Sequence, residues 1–146
     1  ISAYPIAIND ISILDNFFME TTSLGSALSN FGSATNWKGE KMNFSYKQST
    51  ISYSIDDFID TYNLEIPNHI KIDVDGNENK VLIGAKKTLK NENLKTILIE
   101  LDTNKKDTYF ETLNLLKNCR FKIKSIHESD FVNPEYLGVK NHIFIR

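Results

Sequence analysis

The spacing of apolar residues changes twice in the second half of the chain. From His69 to Val74 apolar residues alternate with polar ones, which predicts a strand. Beyond Gly76 the apolar positions follow one helix face: Val81, Leu82, Ala85 and Leu89. The continuous apolar run at 94–101 then predicts a strand that is covered on both faces. Residues 69–101 are therefore expected to form a strand, a helix and a second strand.

Another helix and two short strands are expected after this unit. The strands are the apolar runs at 121–126 and 142–146, and the helix is marked by Tyr109, Phe110, Leu113 and Leu116. Strands that alternate with helices are joined by right-handed crossovers into a mostly parallel sheet. No helix separates the last two strands, so the final strand is expected to run antiparallel. The pattern predicts an α/β fold with a mostly parallel sheet and flanking helices.

The first half of the chain has a less regular pattern. The run "AYPIAI" at 3–8 predicts a buried strand that stops at the turn pair Asn9-Asp10. The β-branched and aromatic residues of 11–20 and 41–53 indicate extended chain. Between these two stretches the sequence is rich in Ser, Thr, Gly and Asn, which indicates a loop.

A short helix is expected just after residue 53. Ser54 and Asp57 have the spacing of a capping box, with Asp in place of the preferred Glu or Gln. The helix should end before Pro67, because proline disfavours helical backbone at the residue before it.

Composition narrows the class of protein. The 146 residues suit one domain, 1–146, and a net charge of −2 without a basic stripe argues against nucleic acid as the main partner. The single cysteine, Cys119, allows no intrachain disulfide or thiolate metal cluster, so a reducing, cytoplasmic location is expected. No apolar run approaches the ~20 residues of a membrane span. Since only two residues separate Ile1 from the apolar run "YPIAI", we expect further residues of the domain upstream.

The first candidate site is a group of carboxylates after the strand at 69–74. In α/β sheets, ligands bind outside the carboxyl ends of the strands, where Asp73, Asp75 and Glu78 follow one another. Lys71 shares a strand face with Asp73 and could hold it ionised. A purely structural interpretation stays open, in which Asp75 or Asn77 caps the next helix and Glu78 lies in its first turn.

Two resemblances give these carboxylates a function. The run "IKIDVD" ends in Asp-x-Asp and resembles the metal-binding element of nucleotide-sugar glycosyltransferases. The longer stretch "IPNHIKIDVDGNENKVLIGAKKTLKNENLKTILIELD" closely resembles the C-terminal block of FkbM-type methyltransferases. The family pattern in this block is Lys-Ile-Asp-Val, Gly, Glu, Val-Leu, Gly-Ala, Leu and a closing Glu. This chain has the same residue types at the corresponding positions, which are Lys71, Ile72, Asp73, Val74, Gly76, Glu78, Val81, Leu82, Gly84, Ala85, Leu89 and Glu100. "SIDDFI", "YPIAIND" and "NHIFIR" resemble further segments of that family.

The methyltransferase resemblance implies a cofactor, a fold and a reaction. The family uses S-adenosylmethionine, usually to methylate a hydroxyl of a sugar or natural product, so a small-molecule or glycan acceptor is expected. The implied fold is a partial Rossmann-like sheet of the class I methyltransferase type. The implied catalytic residues are Asp73, as base or neighbour of the sulfonium, with Lys71 and Glu78.

The same resemblance suggests which residues contact the ligands. Ala7, Ile8 and Asn9 are expected near the adenine of the cofactor, and Asp73 is expected to contact the cofactor beside its sulfonium. For the acceptor we expect Asp75, Glu100 and Trp37, the last because sugars stack on aromatic rings. Structural alternatives are a simple ion pair for Lys71 and a solvated strand end for Glu100.

The chain departs from the family pattern at two points. Asp75 replaces the usual Glu, which shortens its reach by one methylene. The glycine-rich cofactor loop and the acidic residue that binds the ribose have no counterpart, and the six glycines never form G-x-G-x-x-G. The chain therefore resembles the C-terminal portion of the domain, and a non-catalytic α/β fragment is the remaining alternative.

From this resemblance we predict that the 146-residue chain alone is inactive and binds S-adenosylmethionine weakly. The reason is that the backbone donors of the glycine-rich loop are missing from the sequence. Calorimetric titration of the purified chain measures the affinity, and a micromolar dissociation constant would contradict the prediction.

Overall fold

The computed structural model describes residues 1–23, 29–36, 38–41, 43–128 and 137–146. Within these residues the chain forms eight strands and four helices, arranged around two four-stranded sheets. No helix in this described part has the length and apolar character that crossing a bilayer requires.

The first sheet is built from the N-terminal third of the chain. Its strands are β1 (Ala7–Ile8), β2 (Leu14–Met19), β3 (Asn30–Phe31) and β4 (Tyr46–Tyr53), in the order β1-β4-β2-β3. β2 pairs antiparallel with β3 and β4, whereas β1 runs parallel to β4. The extended chain expected at 11–20 and 41–53 is confirmed. Of the strand expected at 3–8 only Ala7–Ile8 pairs; Pro5 has no N–H to donate to a ladder.

The second sheet contains the predicted strand–helix–strand unit. In chain order the elements are β5 (His69–Ile72), α2 (Glu78–Ile83), α3 (Lys86–Lys90), β6 (Thr96–Asp102), α4 (Lys106–Asn118), β7 (Lys122–Glu128) and β8 (Val139–Ile145). β5 and β6 are parallel neighbours, and β8 lies antiparallel between β6 and β7. The parallel pair and the antiparallel last strand are therefore confirmed.

The α/β class is confirmed, whereas a mostly parallel sheet is not. Among the described strands only β1 with β4 and β5 with β6 run parallel, and they belong to different sheets. The physical reason is connection length, because parallel neighbours need a long crossover, whereas short loops join strands as antiparallel hairpins. In the described residues of the first sheet no helix lies between β2 and its partners β3 and β4, and these pairs are antiparallel.

The apolar core lies between the second sheet and helices α2, α3 and α4. β6 alternates along its length, with Ile97 and Ile99 buried while Leu98 and Glu100 are half-buried. We expected both faces of β6 to be covered, but only one face is fully buried and the other is half-buried. The cluster contains Ile72, Val81, Leu82, Ala85, Leu89, Leu94, Ile97, Ile99, Leu101, Leu116, Cys119, Phe121 and Phe144.

Helix α1 (Ile55–Tyr62) joins the two sheets. The Ser54 hydroxyl accepts a hydrogen bond from the Asp57 N–H at 3.0 Å, as the capping-box spacing predicts. The Asp56 carboxylate then caps α3, accepting from the N–H groups of Lys87 at 2.8 Å and Thr88 at 2.9 Å. Helix α3 begins after Ala85, which has no side-chain acceptor, so α1 supplies the missing cap.

The single helix expected after Gly76 is divided into α2 and α3 at Gly84. A Cβ atom on Gly84 would lie 2.4 Å from the Asn9 carbonyl oxygen and 3.0 Å from Ser54 Cβ. Only glycine allows this approach of the N-terminal segment to the end of α2. The Asp56 N–H also donates to the Gly84 carbonyl at 3.0 Å, which fastens α1 to the same point.

A second fastening point lies at the opposite ends of the helices. The Arg146 guanidinium donates to the carbonyls of Leu89, to Asn91 at 2.6 Å and to Cys119 at 3.1 Å, and its Cζ lies 4.5 Å from the centre of the Phe121 ring. These carbonyls belong to the C-terminal ends of α3 and α4, where a cation is favoured. One side chain therefore ties two helices to the end of β8.

We predict that Gly84→Ala lowers the free energy of unfolding by about 1–3 kcal/mol, because the added methyl group meets backbone atoms that cannot rotate away. Urea denaturation measures the change. Lys80→Ala, on an exposed position of the same helix, serves as the control and should change stability by less than about 0.5 kcal/mol. Equal effects of the two variants would contradict the close contact.

Candidate functional site

The parallel strands β5 and β6 bring the predicted carboxylates together. β5 and β6 pair in the register Ile72 with Ile99, so Asp73 and Glu100 follow at the same end of the sheet. The chain then turns through Asp75 and Gly76, which have φ angles of 51° and 99°. This left-handed turn starts α2 directly beside the carboxyl ends of both strands.

Lys71 and Asp73 form the ion pair that their strand spacing predicted. Lys71 Nζ lies 3.0 Å from Asp73 Oδ2, and the two side chains remain 62% and 50% exposed. An ion pair this exposed adds little stability, typically ~0–1 kcal/mol. Its consequence is local, because it places the Lys71 ammonium beside the Asp73 carboxylate at the strand end.

Glu78 is shielded from solvent at the start of α2. Burial raises its pKa above the ordinary value of 4.5, while backbone hydrogen bonds and the charge of Lys105 act in the opposite direction. Its Oε1 accepts a hydrogen bond from the Gly76 N–H at 3.0 Å. A carboxylate with a raised pKa binds protons more strongly and is a better base near neutral pH.

Of the two residues considered as structural caps of α2, Asp75 and Asn77, the side chain of Asn77 does not cap the helix. Asn77 occupies the N-cap position, but its side chain makes no capping hydrogen bond and donates instead to Asn30 Oδ1 at 3.0 Å. Asn30 is buried in the first sheet, so this bond links that sheet to the start of α2. The carboxylate of Glu78, bonded to the Gly76 N–H, satisfies a backbone donor just before the helix instead.

Glu100 lies in the field of the other three carboxylates. Burial is the largest cause of its raised pKa, followed by the charges of Asp73, Glu78 and Asp75, while Lys71 acts in the opposite direction. Glu100 is half-buried, so the sequence-based alternative of a solvated strand end does not describe it. Four carboxylates therefore share one end of the sheet.

A cleft of about 500 Å³ lies between this end of the sheet and the N-terminal segment. The three residues expected near an adenine, Ala7, Ile8 and Asn9, line it together with Asp73 and Asp75. The remaining wall is mostly apolar or amide in character, from Ile6, Phe17, Met19, Ser29, Phe31, Val74 and Asn77. The structure thus brings the expected cofactor residues and two of the carboxylates to one cleft.

A smaller cavity of about 60 Å³ lies on the other side of the turn. Asp75 lines both spaces, and Glu78 and Glu100 line only this second one among the predicted residues. Its wall also contains Gly76, Asn79, Leu101, Asp102, Lys105, Thr108, Tyr109, Thr112 and Val139. The two spaces are thus adjacent and share one acidic side chain.

Some site residues lay beyond sequence reasoning. Trp37, expected at the acceptor site, falls outside the described residues. Tyr109 was expected only as part of an amphipathic helix face, and no role was predicted for His142. The position of His142 within its strand does not indicate a contact with Tyr109, because the two residues are 33 positions apart in the sequence. In the described part of the chain, no group of three or more His, Cys, Asp or Glu side chains has an arrangement that could hold a metal ion.

Comparison with known proteins gives one finding. The sequence matches the family described as "Methyltransferase FkbM domain" over residues 2–123, which covers both sheets up to the start of β7. Neither the curated proteins nor the solved structures contain a match. The expectation that the chain corresponds to the C-terminal half of that domain stays a prediction.

We predict that Glu100→Gln raises the free energy of unfolding at about pH 7 by roughly 0.5 kcal/mol, a value reduced for solvent screening. The folded state holds a proton on Glu100 to higher pH than the unfolded state does, so stability falls as pH rises from 4.5 through the raised pKa. Urea denaturation should show the gain at about pH 7 and none at about pH 3, where the carboxyl group is protonated in both states.

The control for this prediction is Glu92→Gln, an exposed carboxylate in the loop before β6. Its effect on stability should be the same small amount, within about 0.5 kcal/mol, at both pH values, whereas the effect of Glu100→Gln should differ between them. A destabilising effect of Glu100→Gln at neutral pH would show that Glu100 is held by a favourable partner rather than by repulsion.

Proposed function

The chain belongs to the methyltransferase FkbM domain family, and we propose that the intact protein transfers a methyl group from S-adenosylmethionine to a hydroxyl of a sugar or natural product. The observation that carries this proposal is the pairing of two adjacent spaces at one strand end. One is lined by Ala7, Ile8, Asn9 and Asp73, and the other by carboxylates with raised pKa.

The larger cleft has the chemistry that this cofactor needs. Its apolar side, which includes Ile8 and Phe31, suits a flat purine base, and Asn9 offers an amide for polar recognition. The lining also includes the Asp73 carboxylate, which suits a positive charge. When bound, S-adenosylmethionine would supply a methyl group on a positively charged sulfur. Asp73, oriented by Lys71, would be the anionic neighbour of that charge.

The smaller cavity suits the acceptor hydroxyl. An alcohol is a weak nucleophile until a base takes its proton. Glu78 is shielded, has a raised pKa and lines this cavity, whereas Asp73 is half-exposed and paired with Lys71. We therefore propose that Glu78 is the base that removes the proton of the acceptor hydroxyl. Glu100 and Asp75 would accept hydrogen bonds from other polar groups of the substrate.

We predict that Glu78→Gln in the intact enzyme lowers kcat by about 10²–10⁴-fold, because the amide keeps the shape but not the basicity. The wild-type rate should fall as pH drops below the raised pKa of Glu78, since only the carboxylate accepts the proton. A methyl-transfer assay across pH measures both effects, and Glu65→Gln, an exposed carboxylate in the loop before β5, is the matched control.

Variants of Asp73 and Asp75 distinguish the methyltransferase proposal from the glycosyltransferase interpretation. Asp73→Asn should raise the KM for the methyl donor, while Asp75→Asn should change it less. If both variants lost the rate equally and added Mn²⁺ restored part of it, Asp73 and Asp75 would be acting as a metal site. The glycosyltransferase interpretation of Asp-x-Asp would then replace the one proposed.

A further inference from the structure

The end of the molecule opposite the carboxylates carries a cluster of basic side chains. Strands β5 and β6 run from this end toward Asp73 and Glu100, and helices α3 and α4 finish here. An open cavity of about 560 Å³ at this end is lined by Lys90, Glu92, Asn118, Cys119, Arg120 and Arg146. Basic side chains therefore outnumber carboxylates in its wall.

Three further cations flank this cavity. Lys117 lies in the last turn of α4, and its carbonyl accepts from the Arg120 N–H at 2.9 Å. Strand β7 begins with Lys122, which pairs with Ile145 of β8, and Lys124 follows on the same strand. The six cations, called the basic end below, are Lys90, Lys117, Arg120, Lys122, Lys124 and Arg146. They come from separate elements, so the sequence shows no basic stripe.

The charges of the basic end are available to a partner. Five of the six side chains are exposed. The ion pairs formed within the described residues use other lysines, which are Lys71, Lys87 and Lys140. Helix dipoles account for cations at the ends of α3 and α4. They do not account for Lys122 and Lys124, which lie on a strand. A basic cluster of this kind, in a chain whose net charge is −2, fits an anionic partner.

Ile123 indicates which anionic partner fits best. It lies between Lys122 and Lys124 on β7, an edge strand of the second sheet, and is 42% exposed. An exposed aliphatic side chain flanked by cations suits a lipid surface, where ammonium groups meet headgroup phosphates and the apolar group enters the acyl boundary. Nucleic acid fits less well, because base stacking needs an exposed ring. Phe121 is buried here, and the Cζ of Arg146 lies 4.5 Å from its ring centre.

We propose that the basic end docks on membrane surfaces that contain anionic phospholipids, with Ile123 at the boundary between headgroups and acyl chains. The contact is peripheral and depends on charge, so it is reversible and weakened by salt. Both spaces of the candidate site lie at the other end of β5 and β6, so docking leaves them open to the solution. Docking does not require the methyl transfer proposed above and is measurable on the 146-residue chain.

Sedimentation of the 146-residue chain with lipid vesicles measures this docking. The chain should bind vesicles of phosphatidylcholine mixed with phosphatidylglycerol and should not bind vesicles of phosphatidylcholine alone. Raising the salt from about 0.1 M to about 1 M shortens the screening length from ~10 Å to ~3 Å and should release the chain. Ile123→Ser should weaken binding to the anionic vesicles while the salt dependence remains, because the cations are unchanged.

Two double variants with the same change of charge locate the contact. Lys122→Gln/Lys124→Gln should lower the affinity for anionic vesicles about 25-fold, since each basic residue near such a surface contributes roughly fivefold. Lys80→Gln/Lys106→Gln is the matched control, at exposed positions of α2 and α4 near the carboxylates, and should change the affinity by less than about twofold. Glu92→Gln removes the carboxylate from the cavity wall and should raise the affinity about fivefold.

Four results would overturn the proposal. Three concern vesicles: equal binding to neutral ones, binding that persists at high salt, or an equal loss in the two double variants. The fourth is binding of single-stranded RNA that depends on Lys122 and Lys124, without binding to anionic vesicles, because the partner would then be a nucleic acid. The substituted positions are exposed, so the variants should keep the fold, which circular dichroism verifies.

Discussion

The contact at Gly84 is the constraint on which the rest of the site depends. It allows the Asn9 carbonyl to lie against the end of α2, and it holds Ser54 and the start of α1 at the same place. The Asp56 carboxylate completes the junction by capping α3. Without this close approach the N-terminal segment would not face the carboxyl ends of β5 and β6, and the larger cleft would lose one wall.

The acidic end of the sheet is electrostatically unfavourable for the fold. Glu78 and Glu100 both have raised pKa values, which means that their charged forms are disfavoured by burial and, for Glu100, also by neighbouring carboxylates. Lys71 and Lys105 relieve only part of this. Strained electrostatics of this kind cluster at functional sites, where a perturbed pKa is part of the chemistry. The family assignment and the charge pattern therefore point to the same end of the sheet, although both depend on the same carboxylates.

The sequence predicted the second half of the chain well because its signals are local. The change of apolar period at Gly76 and its return at Leu94 depend only on residues close in sequence, and β5, α2 and β6 follow them. The prediction was less accurate for the first half of the chain, where strand order depends on contacts between residues that are distant in sequence. Nothing local indicates that β1 joins β4 while β5 belongs to a second sheet.

The candidate site shows the same division. Asp73, Asp75, Glu78 and Glu100 were recognised because a strand end and a family pattern mark them. Tyr109 and His142 were not, because their hydrogen bond joins a helix to a distant strand. The capping box is intermediate: Ser54 behaves as predicted, but Asp57 is one methylene shorter than Glu. Ser12 bridges the gap by donating to Asp57 at 2.6 Å and accepting from the Ser54 N–H at 3.2 Å.

The Arg146 contacts have a consequence for synthesis on the ribosome. The last carbonyls of α3 accept hydrogen bonds from the Arg146 guanidinium, which lies 55 to 57 positions later in the chain. At about 5–20 residues per second, the ribosome adds those positions in roughly 3–11 s. Until Arg146 has been added, the last carbonyls of α3 lack this donor, and α3 and α4 are not yet joined through it.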